Sequence, residues 1–416
     1  MNTLAPNVTY DLDDPTLLLR DAVLADPRPL YDTLRRRAPV WRLPGQETYL
    51  VSDPSLIREA VGRPKEFSSN LVSLLHRDAG GGLVPFPMAP LGDPTHVLAV
   101  ADPPVHTRQR RLLQPYFNPG AVARLEPALR EIVDRQIAPM LAAGRGDVVT
   151  QLSDPLPARA ICLLLGLPPD DAPVLIPVVA GVDPLLDGVT DLEGMVTAVG
   201  AAAQLHQYVQ TKLDVALEQP APQRTGLLGV LADAIDAGAL PAFEALGILI
   251  QVFTAGTVTT SSLIAKTVEF LAGRVDLQRW LRDDPERIPE ALDDILRDDG
   301  PFQFHYRWTT TEATLGDVRI PAGSRVLLMW AAANRPSPGE PGSAHEDGKA
   351  GAAHYAFGRG LHFCIGEPLA RLESRIAIER LLVRTSRIAL DPDHPPVRRR
   401  SILLRRHASL PVMLER

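Results

Sequence analysis

The residues of this sequence best suited to chemistry are a cysteine, the glycines around it and the segment that follows. Cys364 lies in AFGRGLHFCIGEPLARLESRIAIERLL, residues 356–382. After Gly366, apolar and charged residues alternate at helical spacing, which predicts an amphipathic helix. The apolar positions are Leu369, Leu372, Ile376, Leu381 and Leu382, with Arg371, Glu373, Arg375 and Glu379 between them. Because free N–H groups and a partial positive charge mark a helix N-terminus, they favour the Cys364 thiolate.

A thiolate held in this way serves as a nucleophile or as a metal ligand. Gly358 and Gly360 permit a tight turn and the close approach of a flat group to the backbone. Catalytic cysteines and histidines are normally distant in sequence, whereas His362 is two residues from Cys364. This spacing disfavours the nucleophile. A lone cysteine is also commonly a buried structural residue, which is the third interpretation.

Residues 357–366 follow the pattern F-G-x-G-x-H-x-C-x-G. This pattern resembles the haem-binding signature of the cytochrome P450 monooxygenases at every defining position. The resemblance implies that Cys364 is the proximal thiolate ligand of haem iron, where a thiolate favours cleavage of the O–O bond. It also implies that His362 hydrogen-bonds a haem propionate, that Phe357 packs near the sulfur, and that Gly366 lets the helix lie close to the porphyrin.

Two further segments carry cations that the resemblance assigns to the haem propionates. In ADPPVHTRQRRLLQPYFNP, His106 and Arg110 are four positions apart and share one face of a helix. Without the resemblance, this run would be a solvated basic helix. Arg307 precedes a strand-rich segment and matches a third propionate partner by its position in the family. The alternative for Arg307 is an exposed arginine beside a strand.

A long uncharged segment supplies the opposite wall of the expected pocket. The run AGTVT, which ends at Thr259, resembles the family's oxygen-binding segment, in which an acid precedes a threonine. Small residues at Ala255 and Gly256 would leave room for dioxygen, and Thr259 would help to deliver protons. Val258 fills the place of the acid. Thr259 and Thr260 could instead be core threonines bonded to their own helix backbone.

Two features depart from the family pattern. Asp294 and Arg297 stand where the family has Glu-x-x-Arg, a structural ion pair beneath the haem. Because Asp is one methylene shorter, we expect a shifted backbone or a looser pair. The segment 334–355 lacks a clear counterpart of the arginine that usually completes this network, and its only cations are Arg335 and Lys349.

Composition favours a soluble globular protein. The 416 residues carry a net charge of −7, so no global electrostatics argue for nucleic acid or an anionic membrane. Of the two cysteines, Cys162 lies in an apolar run and is expected in the core, which suits a reducing cytosol. The N-terminus lacks a signal-peptide pattern. The uncharged run 245–265 is long enough to cross a bilayer, but its polar centre predicts a buried helix.

Local patterns predict the surrounding elements. Residues 28–38 indicate a helix, residues 40–53 a β-hairpin, and Asp53 the N-cap of another helix. Residues 68–99 are rich in Gly and Pro and predict a long irregular loop, which the family places over the substrate pocket. A buried helix is expected from 242 to about 271. The C-terminus is strand-like.

We therefore expect a mainly α protein with small β-sheets, a single cytochrome P450-like domain around a buried haem b. Residues 1–27 are assigned to an N-terminal extension and residues 28–416 to the haem-thiolate catalytic domain. The implied activity is oxidation, most simply hydroxylation, of a hydrophobic or aromatic small molecule, a secondary metabolite in many bacterial members. No flavin or iron–sulfur motif is visible, so the resemblance implies ferredoxin and ferredoxin reductase as electron donors in the cytoplasm.

Two alternatives remain. Val258 in place of the acid is compatible with oxidative C–C or C–N coupling of aromatic substrates, or with other chemistry without oxygen insertion. A non-enzymatic haem-binding protein is the second alternative. The implied cofactor-binding residues are His106, Arg110, Arg307, Phe357, Gly358, Gly360, His362, Cys364 and Gly366, with Cys364 as the metal ligand. The implied catalytic residues are Thr259, Thr260, Ala255 and Gly256.

Overall fold

The computed structural model describes residues 9–88, 96–336 and 354–416. Most of these residues are helical, and the strands form small sheets, as predicted. The helices are α1 (Asp21–Ala25), α2 (Arg28–Arg37), α3 (Pro54–Gly62), α4 (Val105–Phe117), α5 (Pro119–Ala123), α6 (Glu126–Ala143), α7 (Pro155–Leu165), α8 (Ala172–Val182), α9 (Pro184–Asp187), α10 (Leu192–Glu218), α11 (Gly226–Asp236), α12 (Ala242–Ala272), α13 (Val275–Asp283), α14 (Ile288–Asp299), α15 (Trp330–Ala333) and α16 (Glu367–Arg384).

Local sequence accounts for several helix starts. The Asp53 side chain accepts hydrogen bonds from the N–H groups of Ser55 and Leu56, so it caps α3 as predicted. Helix α16 begins directly after Gly366 with a proline in its first turn, where the missing N–H costs nothing. Both helices border the cysteine loop.

Helix α12 is the central helix of the molecule. It packs against α7, α10 and α16. By length and composition it could cross a membrane, but 67% of its most apolar stretch is buried inside the protein. Its polar centre is satisfied within the helix: the hydroxyl of Thr257 donates to the carbonyl of Phe253 at 2.8 Å. The prediction of a buried core helix is confirmed.

The described strands form five small sheets. They are β1 (Val40–Arg42), β2 (Thr48–Val51), β3 (Phe67–Ser68), β4 (Ser73–Arg77), β5 (Leu83–Pro87), β6 (Arg145–Asp147), β7 (His305–Thr309), β8 (Ala313–Leu315), β9 (Val318–Ile320), β10 (Arg325–Leu328), β11 (Arg387–Leu390), β12 (Val397–Arg398), β13 (His407–Ser409) and β14 (Pro411–Glu415). The largest sheet has the order β1-β2-β10-β7-β3, with β2 and β10 parallel. The predicted hairpin forms its β1–β2 pair.

The expectation of an irregular loop at residues 68–99 is wrong in part. Strands β4 and β5 form an antiparallel hairpin across a turn that contains Gly81 at φ +81°. Leu74 and Leu75 of β4 are buried, which anchors the hairpin. The prolines of β5 are tolerated because a two-stranded hairpin leaves one edge without partners. Residues 89–95 of this segment lie outside the described residues.

The N-terminal segment shares the core of the remaining chain. Leu17, Leu18 and Leu24 are buried in the same hydrophobic cluster as the central helices. The boundary between residues 27 and 28 stays a prediction. Residues 1–8, and residues 337–353 of the atypical segment 334–355, lie outside the described residues.

Candidate active site

The cysteine loop is a tight turn. The N–H of Cys364 donates to the carbonyl of Phe357 at 3.0 Å and closes the loop. Gly358 and Gly360 have φ angles of +71° and +72°, in the left-handed region that favours glycine. The predicted turn and the helix after it are therefore both present.

The glycines of this loop make room for different neighbours. A Cβ on Gly360 would lie 2.3 Å from Cγ1 of Val61, so the missing side chain admits helix α3. The sequence suggested a flat ligand at this glycine, whereas the close neighbour is a helix. A Cβ on Gly366 would lie 3.9 Å from the sulfur of Cys364. This distance is an ordinary van der Waals contact, so the sulfur by itself does not require glycine at this position.

Cys364 lines a cavity with about 1300 Å³ of space that protein atoms do not fill, part of which is open to solvent. One wall is the cysteine loop with the start of α16, and the other is the middle of α12. The predicted cofactor-binding residues in its lining are His106, Arg110, Phe357, His362, Cys364 and Gly366. The predicted residues of α12 in its lining are Ala255, Gly256, Thr259 and Thr260. Arg307, Gly358 and Gly360 lie outside the lining.

The charge state of Cys364 depends on two opposing effects. Burial raises the pKa of the thiol, while the backbone N–H groups of Gly366 and Glu367 lower it, and the net shift is upward. The N–H groups at the helix N-terminus therefore do favour the thiolate, as expected, but burial raises the pKa of Cys364 by more than they lower it. A stable thiolate here needs a cation against it, and a metal ion is such a cation.

Three predicted propionate partners, His106, Arg110 and His362, line the cavity, and Arg307 is close enough for its charge to lower the pKa of His362. His106 and Arg110 lie one turn apart on α4, and the Arg110 guanidinium donates to the carbonyl of Phe363 at 2.7 Å. The rings of His106 and His362 are 4.2 Å apart between centroids. Arg307 is buried in β7, not exposed beside it.

The electrostatics of this cluster favour an anion. Burial, followed by the positive charges of Arg307, His106, His305 and Arg110, lowers the pKa of His362 to about 2. The Nε2 of His362 is 2.9 Å from the hydroxyl of Ser69. The Nδ1 atoms of His106 and His362 are buried without a hydrogen-bond partner among the described residues. These atoms and cations are suited to carboxylates.

His305 belongs to the same cluster, although the sequence analysis missed it. Its Nδ1 accepts a hydrogen bond from the indole N–H of Trp330 at 2.6 Å, and its ring lines the cavity. Burial, followed by the charge of Arg307, lowers the pKa of His305 to about 3. The sequence did contain a signal for His305, because it lies two residues before Arg307, and residues two apart in a strand share one face.

The two threonines of α12 differ in their hydrogen bonds. The hydroxyl of Thr259 donates to the carbonyl of Ala255 at 2.9 Å, as a core threonine would, and it also lines the cavity. Within the described ranges, the hydroxyl of Thr260 forms no hydrogen bond, and the residue is 3% exposed. Gly256 admits a neighbouring helix, since a Cβ there would lie 2.5 Å from Cδ1 of Ile161.

Val258 faces away from the Cys364 cavity. It lines a separate small crevice together with Asp154 and Arg406. Arg406 is paired with Asp183, whose pKa is raised to about 6 by burial against the opposing effect of Arg406. The guanidinium is also 3.3 Å from Asp154. The acids on this side of α12 are thus already paired.

Glu373 is a second functional candidate that sequence reasoning missed. It was grouped with the charged face of the helix after Gly366, but it is 1% exposed and lines the cavity. Burial raises its pKa well above the usual value. The signal was again spacing: Glu373 is four residues after Leu369 and three before Ile376, on the apolar face.

The ion pair between Asp294 and Arg297 is present, and the expectation of a looser pair is wrong. The Arg297 guanidinium donates to the Asp294 carboxylate at 2.6 Å within α14, so aspartate does not prevent the pair. Arg335 binds a different part of the chain, the Asp32 carboxylate, at 3.0 and 3.2 Å. Lys349 lies outside the described residues.

A neighbouring network supports the cysteine loop. The Arg371 guanidinium donates to the Asp293 carboxylate at 2.6 Å and lies 5.2 Å from the centre of the Phe357 ring. His354 is 3.1 Å from the same carboxylate. The start of the loop is therefore tied to both α14 and α16.

The site fits haem b. Among the residues that the structure describes, no three His, Cys, Asp or Glu side chains are grouped to hold a metal ion. A metal at Cys364 therefore needs its other ligands from a prosthetic group. The unpartnered nitrogens of His106 and His362 suit propionates at one edge. The cavity between α12 and the cysteine loop leaves space for a flat macrocycle.

Known proteins are similar to this chain in sequence and in fold. The family model described as Cytochrome P450 matches residues 288–407. Cytochrome P450 144 of Mycobacterium tuberculosis is 36% identical over 363 residues, 87% of this chain and 83% of that protein. Vitamin D(3) 25-hydroxylase of Pseudonocardia autotrophica is 31% identical over 394 residues, 94% of each. The crystal structure of CalO2 has a TM-score of 0.83 at 27% identity and covers 98% of this chain and 99% of that one.

The similarities in sequence span most of the chain and of each relative, and the structural similarity spans nearly all of both chains. They confirm the mainly helical fold with small sheets and the family that the cysteine pattern indicated. The chain belongs to the cytochrome P450 family and is an oxidoreductase whose cofactor is haem b, bound in that family through a cysteine thiolate.

Proposed function

We propose that this enzyme hydroxylates a small apolar organic molecule, with dioxygen as the oxidant and two electrons from an external donor. The observation that carries the proposal is the cavity in which Cys364 lies on one wall and Thr259 on the other. Bound haem supplies the activation of dioxygen. One oxygen atom enters the substrate and the other leaves as water, which consumes two electrons and two protons.

Cys364 is the residue that we assign as the iron ligand. Its sulfur is oriented by the closed turn to Phe357 and by the N–H groups of Gly366 and Glu367. These groups stabilise negative charge on sulfur, and iron provides the cation that offsets desolvation. Gly358 and Gly360 give the loop its shape.

We assign His106, Arg110, Arg307 and His362 to the haem propionates. Carboxylates can be buried only when they are paired, since an unpaired buried charge costs roughly several kcal/mol. The two unpartnered histidine nitrogens and the two guanidinium groups meet this need. Ser69 holds the Nε2 side of His362, so its Nδ1 remains for the cofactor.

On the opposite wall, Thr259 is the residue that we expect to position protons. Its hydrogen is donated to the carbonyl of Ala255, so the lone pairs of its oxygen remain to accept from water in the cavity. Ala255 adds little volume beside the cavity, which leaves room for dioxygen, whereas the space beside Gly256 is taken by Ile161. Thr260 is the second hydroxyl on this wall.

The substrate is expected to be largely apolar. Leu98, Val252 and Phe302 line the cavity, and the side-chain carbonyl of Gln251 already accepts the N–H of Ala99 at 3.0 Å. Apolar walls with few free polar groups select apolar ligands. A relative named as a hydroxylase of vitamin D(3) supports the reaction type. A secondary metabolite is the substrate class that we propose.

We infer that electrons come from a ferredoxin and its reductase. The 416 residues carry no recognisable flavin or iron–sulfur motif. A cytoplasmic location fits this supply, and the burial of most of the apolar stretch of α12 supports it.

Val258 favours a second candidate function. No acid occupies this position, and the side chain faces the separate crevice. Proton delivery for oxygen insertion could then be slow enough for oxidative C–C or C–N coupling of an aromatic substrate. In that reaction the product contains no oxygen from dioxygen.

The test begins with Cys364→Ser. We expect the reduced, carbon monoxide-bound protein to show the Soret shift peculiar to thiolate ligation, and the variant to lose it. Cys162→Ser is the matched control, because Cys162 is buried in α7 outside the cavity lining. A thiolate spectrum that persists in Cys364→Ser would show that the ligand is wrongly assigned.

Turnover with labelled dioxygen then separates the two functions. Label in a hydroxylated product supports oxygen insertion. An unlabelled coupled product would contradict hydroxylation and support oxidative coupling.

A further inference from the structure

Two glutamine side chains hold a short segment of the Cys364 cavity lining. The N–H of Leu98 donates to Gln109 of α4 at 2.8 Å, and the N–H of Ala99 donates to Gln251 of α12 at 3.0 Å. Leu98 has a φ angle of +42°, in the left-handed region that leucine rarely adopts. Such a backbone persists only where its neighbours hold it, and it is typical of segments that contact ligands.

The two glutamines differ in what they leave unused. Gln109 is fully buried, and its amide nitrogen donates to the Glu244 carboxylate at 2.8 Å. The Arg108 guanidinium donates to both oxygens of that carboxylate, at 2.6 and 2.7 Å. Gln109 therefore uses both ends of its carboxamide. Gln251 uses only its oxygen, since its Nε2 donates to no group within the described part of the chain.

The orientation of the Gln251 carboxamide follows from its partner. A backbone N–H can only donate, so the oxygen of Gln251 must face Ala99 and its NH2 group is turned away from that residue. Gln251 lines the cavity and is the only carboxamide among the described residues of the lining. The wall formed by α12 therefore offers an unused amide N–H group to a ligand.

The position of Gln251 along α12 sets the length of such a ligand. Gln251 precedes Ala255 by four residues and Thr259 by eight, so the three lie on one face of the helix. At a rise of 1.5 Å per residue, Gln251 and Thr259 are about 12 Å apart along the helix axis. A substrate that is oxidised near Thr259 and reaches Gln251 must therefore be elongated.

We propose that Gln251 is a specificity-determining residue whose amide N–H binds a carbonyl oxygen at the far end of an elongated apolar substrate. This inference rests on the proposed function and narrows its substrate class. A neutral carbonyl group fits better than a carboxylate. Arg110 is the only arginine or lysine in the described lining, and it donates to Phe363 and is assigned to a propionate. A substrate without an acceptor would leave this N–H unpaired.

Two matched probes test the hydrogen bond. One is methyl undecyl ketone, and the other is the alkene in which a CH2 group replaces the carbonyl oxygen. The Soret shift of the haem-loaded protein on ligand binding gives the dissociation constants. The preference for the ketone over the alkene should be about 3- to 10-fold larger in the wild-type protein than in Gln251→Met. Because both proteins bind the same two probes, differences in solubility cancel in this comparison.

The same ratio separates recognition from a structural role. Methionine has nearly the length of glutamine but no N–H group. If Gln251 serves only to anchor Ala99, the variant will weaken both probes equally, and the unchanged ratio would overturn the proposal. Gln204→Met, at an exposed glutamine of α10, should keep the wild-type ratio. A wild-type protein that binds neither probe would also overturn the proposed substrate class.

The position of oxidation provides the functional readout. With methyl ketones of increasing chain length, the wild-type protein should oxidise a carbon at a constant number of bonds from the carbonyl group, because the bound oxygen sets the distance. Gln251→Met should give several products from each ketone. A wild-type position that is constant only relative to the terminal methyl group would contradict this inference alone. A protein that binds the ketones but inserts no labelled oxygen into them would contradict the proposed hydroxylation, while the binding ratio would still decide the role of Gln251.

Discussion

At the scale of single residues, burial decides the charge states at this site. It raises the pKa values of Cys364 and Glu373 and lowers those of His305 and His362. Each shift favours the neutral form, as desolvation requires. The charges that remain in the proposed propionate cluster are those of arginines, which stay protonated. We therefore expect the arginines to dominate the binding of an anionic cofactor.

Arg110→Ala tests this expectation. The guanidinium is held beside the cavity by the carbonyl of Phe363. Its removal would delete the charge-assisted hydrogen bond to a propionate that we propose. Haem dissociation should accelerate by about 10- to 100-fold, as measured by transfer to an excess of a haem-scavenging protein. Arg111→Ala is the control, because Arg111 is the next residue of α4 and is exposed. Equal haem dissociation rates in the two variants would show that Arg110 does not bind a propionate.

At the scale of elements, the site depends on how closely three helices approach it. Helix α12 supplies one wall, α16 the other, and α3 supports the cysteine loop through Val61. The contact between α3 and the loop exists because residue 360 has no side chain. Replacing this glycine should therefore affect the loop and the stability of the fold together.

Gly360→Ala should destabilise the protein by about 2–4 kcal/mol, which combines the left-handed backbone with overpacking against Val61. Gly238→Ala separates these contributions, because Gly238 has φ +67° and a Cβ at this position would have no atom within 4 Å. This control should cost only about 1 kcal/mol. Denaturant unfolding measures both free energies of unfolding. If the two variants are equally stable, α3 moves away from the added methyl group without destabilising the protein, and it does not support the loop.

At the scale of the whole molecule, buried histidines link the site to acid stability. The pKa of His305 falls from 6.5 to about 3 in the folded protein, chiefly through burial. Between these values the unfolded chain binds a proton that the native protein does not. The free energy of unfolding should then fall as pH falls through this window, by at most about 1.4 kcal/mol per pH unit from this residue.

In His305→Asn, the free energy of unfolding should fall less steeply as the pH falls, because unfolding takes up at most one proton fewer. Asparagine retains an oxygen that can accept from the indole of Trp330, so the variant should fold. The measurement is the unfolding free energy at a series of pH values from 7 downward to about 4, over which the linkage slope is defined. His206→Asn, at an exposed histidine of α10, should leave the slope unchanged. A slope that His305→Asn does not alter would mean that His305 titrates normally in the folded protein.

Local sequence was sufficient for much of the fold and for part of the candidate site. The cysteine signature, the helix after Gly366 and the cap at Asp53 depend on residues a few positions apart, so their spacing predicts them. The absence of charge over the centre of α12 predicts its burial for the same reason. His106 and Arg110 share a face because one helical turn separates them.

Contacts between distant segments required the folded chain. Glu373 was assigned to a charged helix face, because charged residues are seldom buried, and only the packing of α16 against α12 shows that it lines the cavity. Val61 meets Gly360, and Trp330 fixes the ring of His305, across separations that no local pattern encodes. Burial is a property of neighbours brought together by the whole fold, and burial sets the pKa values on which the proposed chemistry depends.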